Sequence, residues 1–398
     1  MIALCLSPIY ILFCLYLLRW LLGWMGACSL LFYRKWVKIF VTVLYAFVSS
    51  SLLTSFLVPP SMLRRILKLI SNYWLGTLLY ILLTVFTADA VRRVLKQAAF
   101  WKKELLFSRT GFVVSGAVCL AVILTLSAAG IIGAGRIRTT DYHVTIEKDG
   151  GSLKSLRMVL VADLHLGYSI GSWHMEQMVA RINEQKPDVV VIAGDIFDNE
   201  YEALDNPERL ERILSGIQSR YGVYACYGNH DIQEKILAGF TFSGKGKKMS
   251  SPEMDDFLKA ANIRLLRDEA VLLADSVYLY GRPDYERPGR GIEKRRSPAE
   301  LMAGLEESKP VIVLDHEPRE LEELAEAGVD LDLCGHTHDG QMFPANLVTR
   351  LFWENSYGYL KKGNMQNIVT SGIGVFGPGM RVGTKSEICR IDVEFTSD

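Results

Sequence analysis

The first 135 residues contain almost no acid. Asp89 and Glu104 stand against thirteen lysines and arginines, a net charge of +11. The rest of the chain holds 31 basic and 42 acidic residues, a net −11, so the whole is neutral. An apolar segment this poor in carboxylates lacks the polar groups expected along a transport path. The net negative charge of the later part argues against nucleic acid as the main substrate. Cysteine is scarce too. The seven cysteines show no disulfide-like spacing and suit small buried positions. No internal repeat is present, which excludes a repeat architecture. Histidine is equally sparse, at seven, so where the histidines fall carries information.

What the first part does have is long apolar runs. A membrane-spanning helix needs ~20 apolar residues, and such runs lie at 2–24, 37–58, 69–88 and 111–133. Arg19 falls near the end of the first, where its head can reach the interface. Trp20, Trp24, Trp36, Trp74 and Trp101 lie in or beside the runs, at the level that amphipathic rings favour. Four runs and no obvious small-residue cleavage site argue against a cleaved signal peptide as the reading of the first run. Four spans are expected; three is the alternative, because the run containing Asn72 and Trp74 is the weakest. With four, the loops at 25–36 and 89–110 carry eight Lys and Arg, or nine with Lys38, against six on the other side. That modest excess puts the later part outside the cytoplasm, and losing one span would reverse it. A transmembrane region over 1–135 and a second domain over 140–398 are therefore expected.

From Thr140 onward, apolar strands alternate with amphipathic helices. Buried strands are expected in LRMVLVADLH, DVVVIAGD, VYACYGNHD, VLLADSVYLYG, PVIVLDHEP, VDLDLCGHTHDGQ, QNIVTSGIG and EICRIDVEF. WHMEQMVARINEQ has helical spacing, and NPERLERILSGIQSRYG opens on Pro and closes on Gly. SPEMDDFLKAAN, SPAELMAGLEES and RELEELAEAG complete the helices. The expectation is an α/β fold with a mixed or two-sheet core, since the last strands follow one another without helices. The segments 239–250 and 282–296 read as exposed loops. The second contains Arg282, Arg287, Arg290, Lys294, Arg295 and Arg296. A solvated basic loop is the default for it, and contact with acidic lipid headgroups the sharper option.

Five of the seven histidines belong to motifs that close apolar runs. These are Asp163-Leu-His165, Gly194-Asp195-Ile-Phe-Asp198, Gly228-Asn229-His230-Asp231, Asp315-His316-Glu317 and Gly335-His336-Thr337-His338. Each motif alone is a plausible turn. Five in succession, each at the carboxyl end of an expected strand, describe a shared site. Carboxylate, imidazole and amide oxygen together suit divalent metals. Gly194, Gly228 and Gly335 let the chain turn tightly there.

This series resembles the calcineurin-like metallophosphoesterase family, and GHTH-x-GQ with SGIG…P-G-x-R resembles its membrane-anchored branch. Asp339 stands where that branch commonly has glycine. The resemblance covers about 155–395. It implies a two-sheet sandwich of α-β-β-α layers and two divalent ions (Mn, Fe or Zn). One ion would take Asp163, His165, Asp195 and His338. The other would take Asp195, Asn229, His316 and His336, with Asp195 shared. It further implies hydrolysis of a phosphate ester or pyrophosphate bond by a metal-bridging hydroxide. His230 would act at the leaving oxygen, while Asp198 and Asp231 orient ligands. Arg381 could reach a phosphate, or be a plain loop arginine. The expected substrate is a phosphorylated small molecule or lipid at the bilayer. The alternative is a non-catalytic scaffold on the same fold, which typically loses metal ligands; all seven are retained here.

Overall fold

The computed structural model describes residues 2–97, 104, 107–234, 236–237, 240–241, 250–289, 292 and 294–396. Trp101, Lys102, Lys103, Arg290 and most of the loop at 239–250 lie outside the described residues. The chain divides into two compact units.

The first unit comprises Met1–Ile131 with the short segments Ile236–Thr241 and Gly377–Gly379. It is built from α1 (Ile2–Cys28), α2 (Lys35–Leu57), α3 (Met62–Gln97) and most of α4 (Arg109–Ala134). All four are long and apolar enough to cross a membrane. Phe40, Val43, Leu44 and Phe47 are exposed, as lipid-facing positions are. Without water, polar tips need internal partners. Trp74 Nε1 donates to Tyr10 Oη at 2.8 Å, and the Tyr10 hydroxyl donates to the Ser49 carbonyl at 2.6 Å. The Tyr45 hydroxyl donates to the Cys14 carbonyl at 3.0 Å. The run that looked weakest is the longest helix. α3 extends 36 residues because Arg64, Arg65 and Lys68 before the apolar stretch and Arg92, Arg93 and Lys96 after it are all helix-compatible.

The second unit contains two six-stranded sheets. In chain order the strands are β1 (Ile137–Ile146), β2 (Ser155–Val161), β3 (Val189–Ala193), β4 (Val223–Cys226) and, after the small β5–β6 hairpin (Ile236–Leu237, Phe240–Thr241) of the first unit, β7 (Ile263–Leu265). Then come β8 (Glu269–Leu273), β9 (Val277–Gly281), β10 (Val311–Leu314), β11 (Leu331–Cys334), β12 (Gly358–Lys362), β13 (Met365–Val369) and β14 (Ser386–Phe395). One sheet runs β1-β14-β2-β3-β4-β7, the other β12-β13-β11-β10-β9-β8. β2, β3 and β4 are parallel, as are β9, β10, β11 and β13. The helices are α5 (Ser172–Glu184), α6 (Pro207–Leu214), α7 (Pro252–Ala260), α8 (Pro298–Met302), α9 (Leu321–Ala327) and α10 (Ala345–Phe352).

Side chains alternate across a strand, and that period builds the layers. Met158, Leu160, Val189 and Val191 meet Leu279, Ile312, Leu314, Leu331 and Leu333 between the sheets. Their neighbours Val159, Val161, Val190 and Ile192 face Met175, Met178 and Ile182 of α5, Leu210 of α6 and Phe257 of α7. On the other flank Val311 and Val313 pack on Leu301 of α8 and Leu321 and Leu324 of α9. The result is the expected α-β-β-α sandwich. β3, β10, β11 and β13 are buried along their whole length because both faces are covered, and β3 and β10 are accordingly apolar throughout.

One local expectation differs, and some elements were not expected from the sequence. VLLADSVYLYG is two antiparallel strands, β8 and β9, because Ala274 and Asp275 turn the chain with φ of 49° and 57°. β1 and β12 carry polar residues on half-exposed faces, so no apolar run marked them. α10 has no buried residue among its eight. Replacing Ile312, which is fully buried between the sheets, by alanine should cost about 2–5 kcal/mol. A lowered melting midpoint of the full chain in detergent would show it; an unchanged midpoint would contradict this packing.

Candidate metal centre

The five motifs leave the carboxyl ends of β2, β3 and β4 in one sheet and of β10 and β11 in the other. Their side chains converge. His165 Nε2 and His338 Nε2 lie 3.0 Å apart. Asp163 Oδ1 is 3.8 Å from His338 Nε2, and Asp195 Oδ2 is 3.7 Å from His165 Nε2. Beside this group, His316 Nε2 lies 3.2 Å from Asp195 Oδ2, 3.1 Å from Asn229 Oδ1 and 3.2 Å from His336 Nδ1. Asn229 Oδ1 is also 3.0 Å from His336 Nδ1. All seven sequence-expected ligands thus fall into two adjoining groups, with Asp195 close to both.

The backbone is bent to achieve this. Asp163, His165, Asp195, His336 and His338 all have φ between 46° and 71°, a region costly for non-glycine residues and concentrated at functional sites. Cross-links hold the bends. Asp163 accepts the His336 N–H, Asp195 Oδ1 accepts the His230 N–H at 2.7 Å, and His165 N–H donates to the Asp195 carbonyl at 3.0 Å. Of the three glycines, only Gly194 needs its positive φ, 75°. Gly228 and Gly335 are required for closeness. A Cβ on Gly228 would sit 2.3 Å from Asp195 Oδ1, and one on Gly335 would sit 2.4 Å from the Ala162 Cβ.

Electrostatics favour neutral, lone-pair imidazoles. Burial pushes His230 down to about 4 and His336 to about 3, the latter helped by the charge on His316. Burial, then His165 and Arg381, hold His338 well below its usual value. His165 and His316 are the exceptions. Burial opposes charge on His165, but Asp198, Asp195 and Asp163 outweigh that and raise it. His316 is raised too. Burial opposes its charge, but Asp195 outweighs that and raises it, while Asp195 itself is held well below the carboxylate range by His316 despite burial. His316 Nδ1 donates to the Ala193 carbonyl at 2.8 Å, so Nε2 faces Asp195 and Asn229. Carboxylate oxygens, an amide oxygen and imidazole nitrogens meet here with too few protons to satisfy one another as hydrogen bonds. A donor set of this kind fits divalent cations.

The surrounding residues differ in what they do. Asp198 Oδ1 is 3.6 Å from His165 Nδ1 and 4.0 Å from His230 Nδ1. Asp231 instead ties loops. It accepts the Gly228 N–H at 2.7 Å and the Phe197 N–H at 2.8 Å, and burial followed by Asp195 raises it to about 7. Arg381 is buried. Its guanidinium donates to the carbonyls of Ser371 at 2.6 Å and Gly374 at 2.7 Å, and lies 3.2 Å from His338 Nδ1. It therefore braces the SGIG loop behind His338 rather than standing at an open mouth. Asp339 is buried with φ of 50°, which accounts for glycine being the usual occupant of that turn.

The basic patch is corrected. Arg282 is fully buried and pairs with Asp315 and Glu320 at 2.9 and 2.7 Å, and Arg295 pairs with the same two acids at 2.9 and 2.6 Å. Arg287 donates to the Asn229 carbonyl at 3.0 Å. These arginines serve the interior carboxylates beside the site, and only Lys294 and Arg296 are exposed among those described. Sequence reasoning also missed Asn199, whose Oδ1 contacts His230 Nδ1. It missed Phe376 as well, whose ring lies 4.7 Å from that of His230 and 5.7 Å from that of His165. Gln341 fixes Phe376 by hydrogen bonds of 2.8 and 3.0 Å to its N–H and carbonyl. The GQ that follows GHTH was the available signal for that link.

Comparison with known proteins agrees with this geometry. The calcineurin-like phosphoesterase family pattern matches residues 156–340. The chain is 27% identical over 334 residues to a Danio rerio transmembrane protein with metallophosphoesterase domain, covering 82% of this chain and 73% of that one. It is 28% identical to the Bos taurus protein of the same description, covering 68% of this chain and 61% of that one. A more distant relative, 23% identical over 56% of this chain and 76% of its own length, is a UDP-2,3-diacylglucosamine pyrophosphatase of Chlamydia trachomatis. With four apolar helices ahead of it, the domain sits in a membrane protein. Residues 156–340 form a calcineurin-like phosphoesterase domain.

Proposed function

We propose that this chain is a membrane-anchored, metal-dependent phosphoesterase. The observation that carries the proposal is the meeting of seven donor side chains in two groups that adjoin at Asp195. Asp163, His165, Asp195 and His338 would hold one ion; Asp195, Asn229, His316 and His336 the other. Two divalent ions supply positive charge against the phosphoryl oxygens and acidify an attacking water. The protein holds its donors in strained loops, so little reorganisation is needed on loading.

His230 is assigned to the leaving oxygen. Its Nδ1 faces Asn199 Oδ1 and its main chain is tied to Asp195, which directs Nε2 toward the substrate. Burial keeps the ring neutral in the free chain. Negative phosphate charge beside it favours the imidazolium, which can then protonate the departing oxygen. The substrate is assigned as a phosphorylated lipid or a lipid-linked diphosphate. The four membrane-length helices and the lipid-precursor pyrophosphatase among the relatives support this. The lysine and arginine distribution supports a domain outside the cytoplasm.

Full chain in detergent should hydrolyse bis(p-nitrophenyl) phosphate with Mn, Fe or Zn, lose activity to a chelator and regain it on metal addition. Asp195→Ala should reduce turnover by more than about 100-fold, beyond the usual cost of losing an outer hydrogen-bond partner. Full turnover in that variant would sink the catalytic assignment. Gly335→Ala forces a Cβ to within 2.8 Å of Asp163 Oδ2; metal content should fall while the chain remains folded, as read by elemental analysis and melting. Loading also has a sign in pH. His316 is raised in the free chain, so below its pKa a proton occupies Nε2 and must leave when metal binds. Metal addition in weak buffer should release protons, and affinity should fall as pH falls; pH-independent affinity would contradict the assignment of His316.

A further inference from the structure

Beyond His336 lies a cleft of about 460 Å³ whose lining includes Tyr285, Arg319, Phe352 and Trp353. None of these belongs to the five motifs. The Trp353 ring is 5.1 Å from that of His336. The Arg319 guanidinium lies over two rings, 4.9 Å from the centre of Trp353 and 5.3 Å from that of Tyr285. Arg319 Nε bonds Glu317, and Glu317 Oε1 is 3.7 Å from His336 Nε2. Rings and carboxylate together fix the orientation of the guanidinium one residue away from the proposed metal centre. Its two terminal nitrogens meet no acceptor among the described residues.

An arginine held this way is arranged to bind a planar or tetrahedral anion through two parallel hydrogen bonds. The cleft's acids do not oppose that. Glu320 is paired with Arg282 and Arg295, and Glu354 with Lys362 at 2.7 Å. Glu323 is exposed at the rim, where solvent screens it.

We propose that Arg319 reads a second phosphoryl group beyond the phosphorus under attack, making a diphosphate diester the preferred substrate class. The proposal rests on the phosphoesterase assignment above. It names Arg319 as a specificity-determining residue rather than a group acting at the reacting atoms. The Arg319 fork holds the phosphoryl that departs, and the Trp353 and Phe352 rings face whatever that phosphoryl carries.

The test compares dimethyl diphosphate with dimethyl phosphate, which share ester ends and differ by one phosphoryl. Their dissociation constants are measured by calorimetry on metal-loaded full chain in detergent. The expected wild-type preference for the diphosphate is about tenfold or more, in line with a charge-assisted pair of hydrogen bonds. In Arg319→Ala the preference should fall to about one. Arg319→Lys, which keeps the charge and loses the fork, should lie between. An equal loss for both ligands would mean that Arg319 only supports the rings, and would overturn the proposal. So would a wild type with no preference, or an unchanged preference in Arg319→Ala. Hydrolysis of bis(p-nitrophenyl) phosphate by the same wild-type sample reports separately on the phosphoesterase assignment, because that ester has a single phosphorus.

Discussion

Asp195 is the constraint on which the rest of the site depends. One oxygen accepts the His230 N–H, while the other faces both His316 and His165. A fully buried carboxylate is costly unless opposite charge or hydrogen bonding offsets it. Here the offset comes from two directions, the raised His316 on one sheet's side and the loop amide of His230 on the other. The two sheets therefore cannot slide relative to one another without breaking the centre. The apolar layer between them, from Met158 and Val191 to Ile312 and Leu333, fixes the same registration.

Around that hub, the strained residues form a pattern. Positive φ at Asp163, His165, Asp195, His336 and His338 places side chains inward that an extended chain would splay apart. Buried hydrogen bonds hold the bends. Arg381 braces the carbonyls of the SGIG loop, and Glu387, fully buried, accepts the Ser371 N–H and hydroxyl from the same loop. That loop delivers Phe376 against the rings of His165 and His230. The mechanical support for the centre is thus spread over residues 371–387, well after the last proposed ligand in the chain.

The ligands were legible because each follows an apolar strand, so Asp, His and Asn at those points had no packing reason to be there. The sandwich was legible for the same reason: β3 and β10 are continuous apolar runs. What was not legible depends on contacts far apart in sequence. Arg282, Arg287 and Arg295 look like an exposed basic loop until Asp315, Glu320 and Asn229 are brought beside them by the fold. Arg319 reads as an ordinary helix-start residue until Tyr285 and Trp353 arrive from 34 positions before and after it. Asn199 and Phe376 were hidden likewise, since neither residue type at its place signals a partner. β1 and β12 escaped notice because half-exposed edge strands carry no apolar run.

The central claim is that two divalent ions share Asp195. Anomalous scattering recorded at a metal absorption edge from crystals of the metal-loaded full chain tests it most directly. The account predicts two peaks, one among Asp163, His165 and His338, the other among Asn229, His316 and His336, with Asp195 in contact with both. A single peak, or peaks away from Asp195, would contradict it.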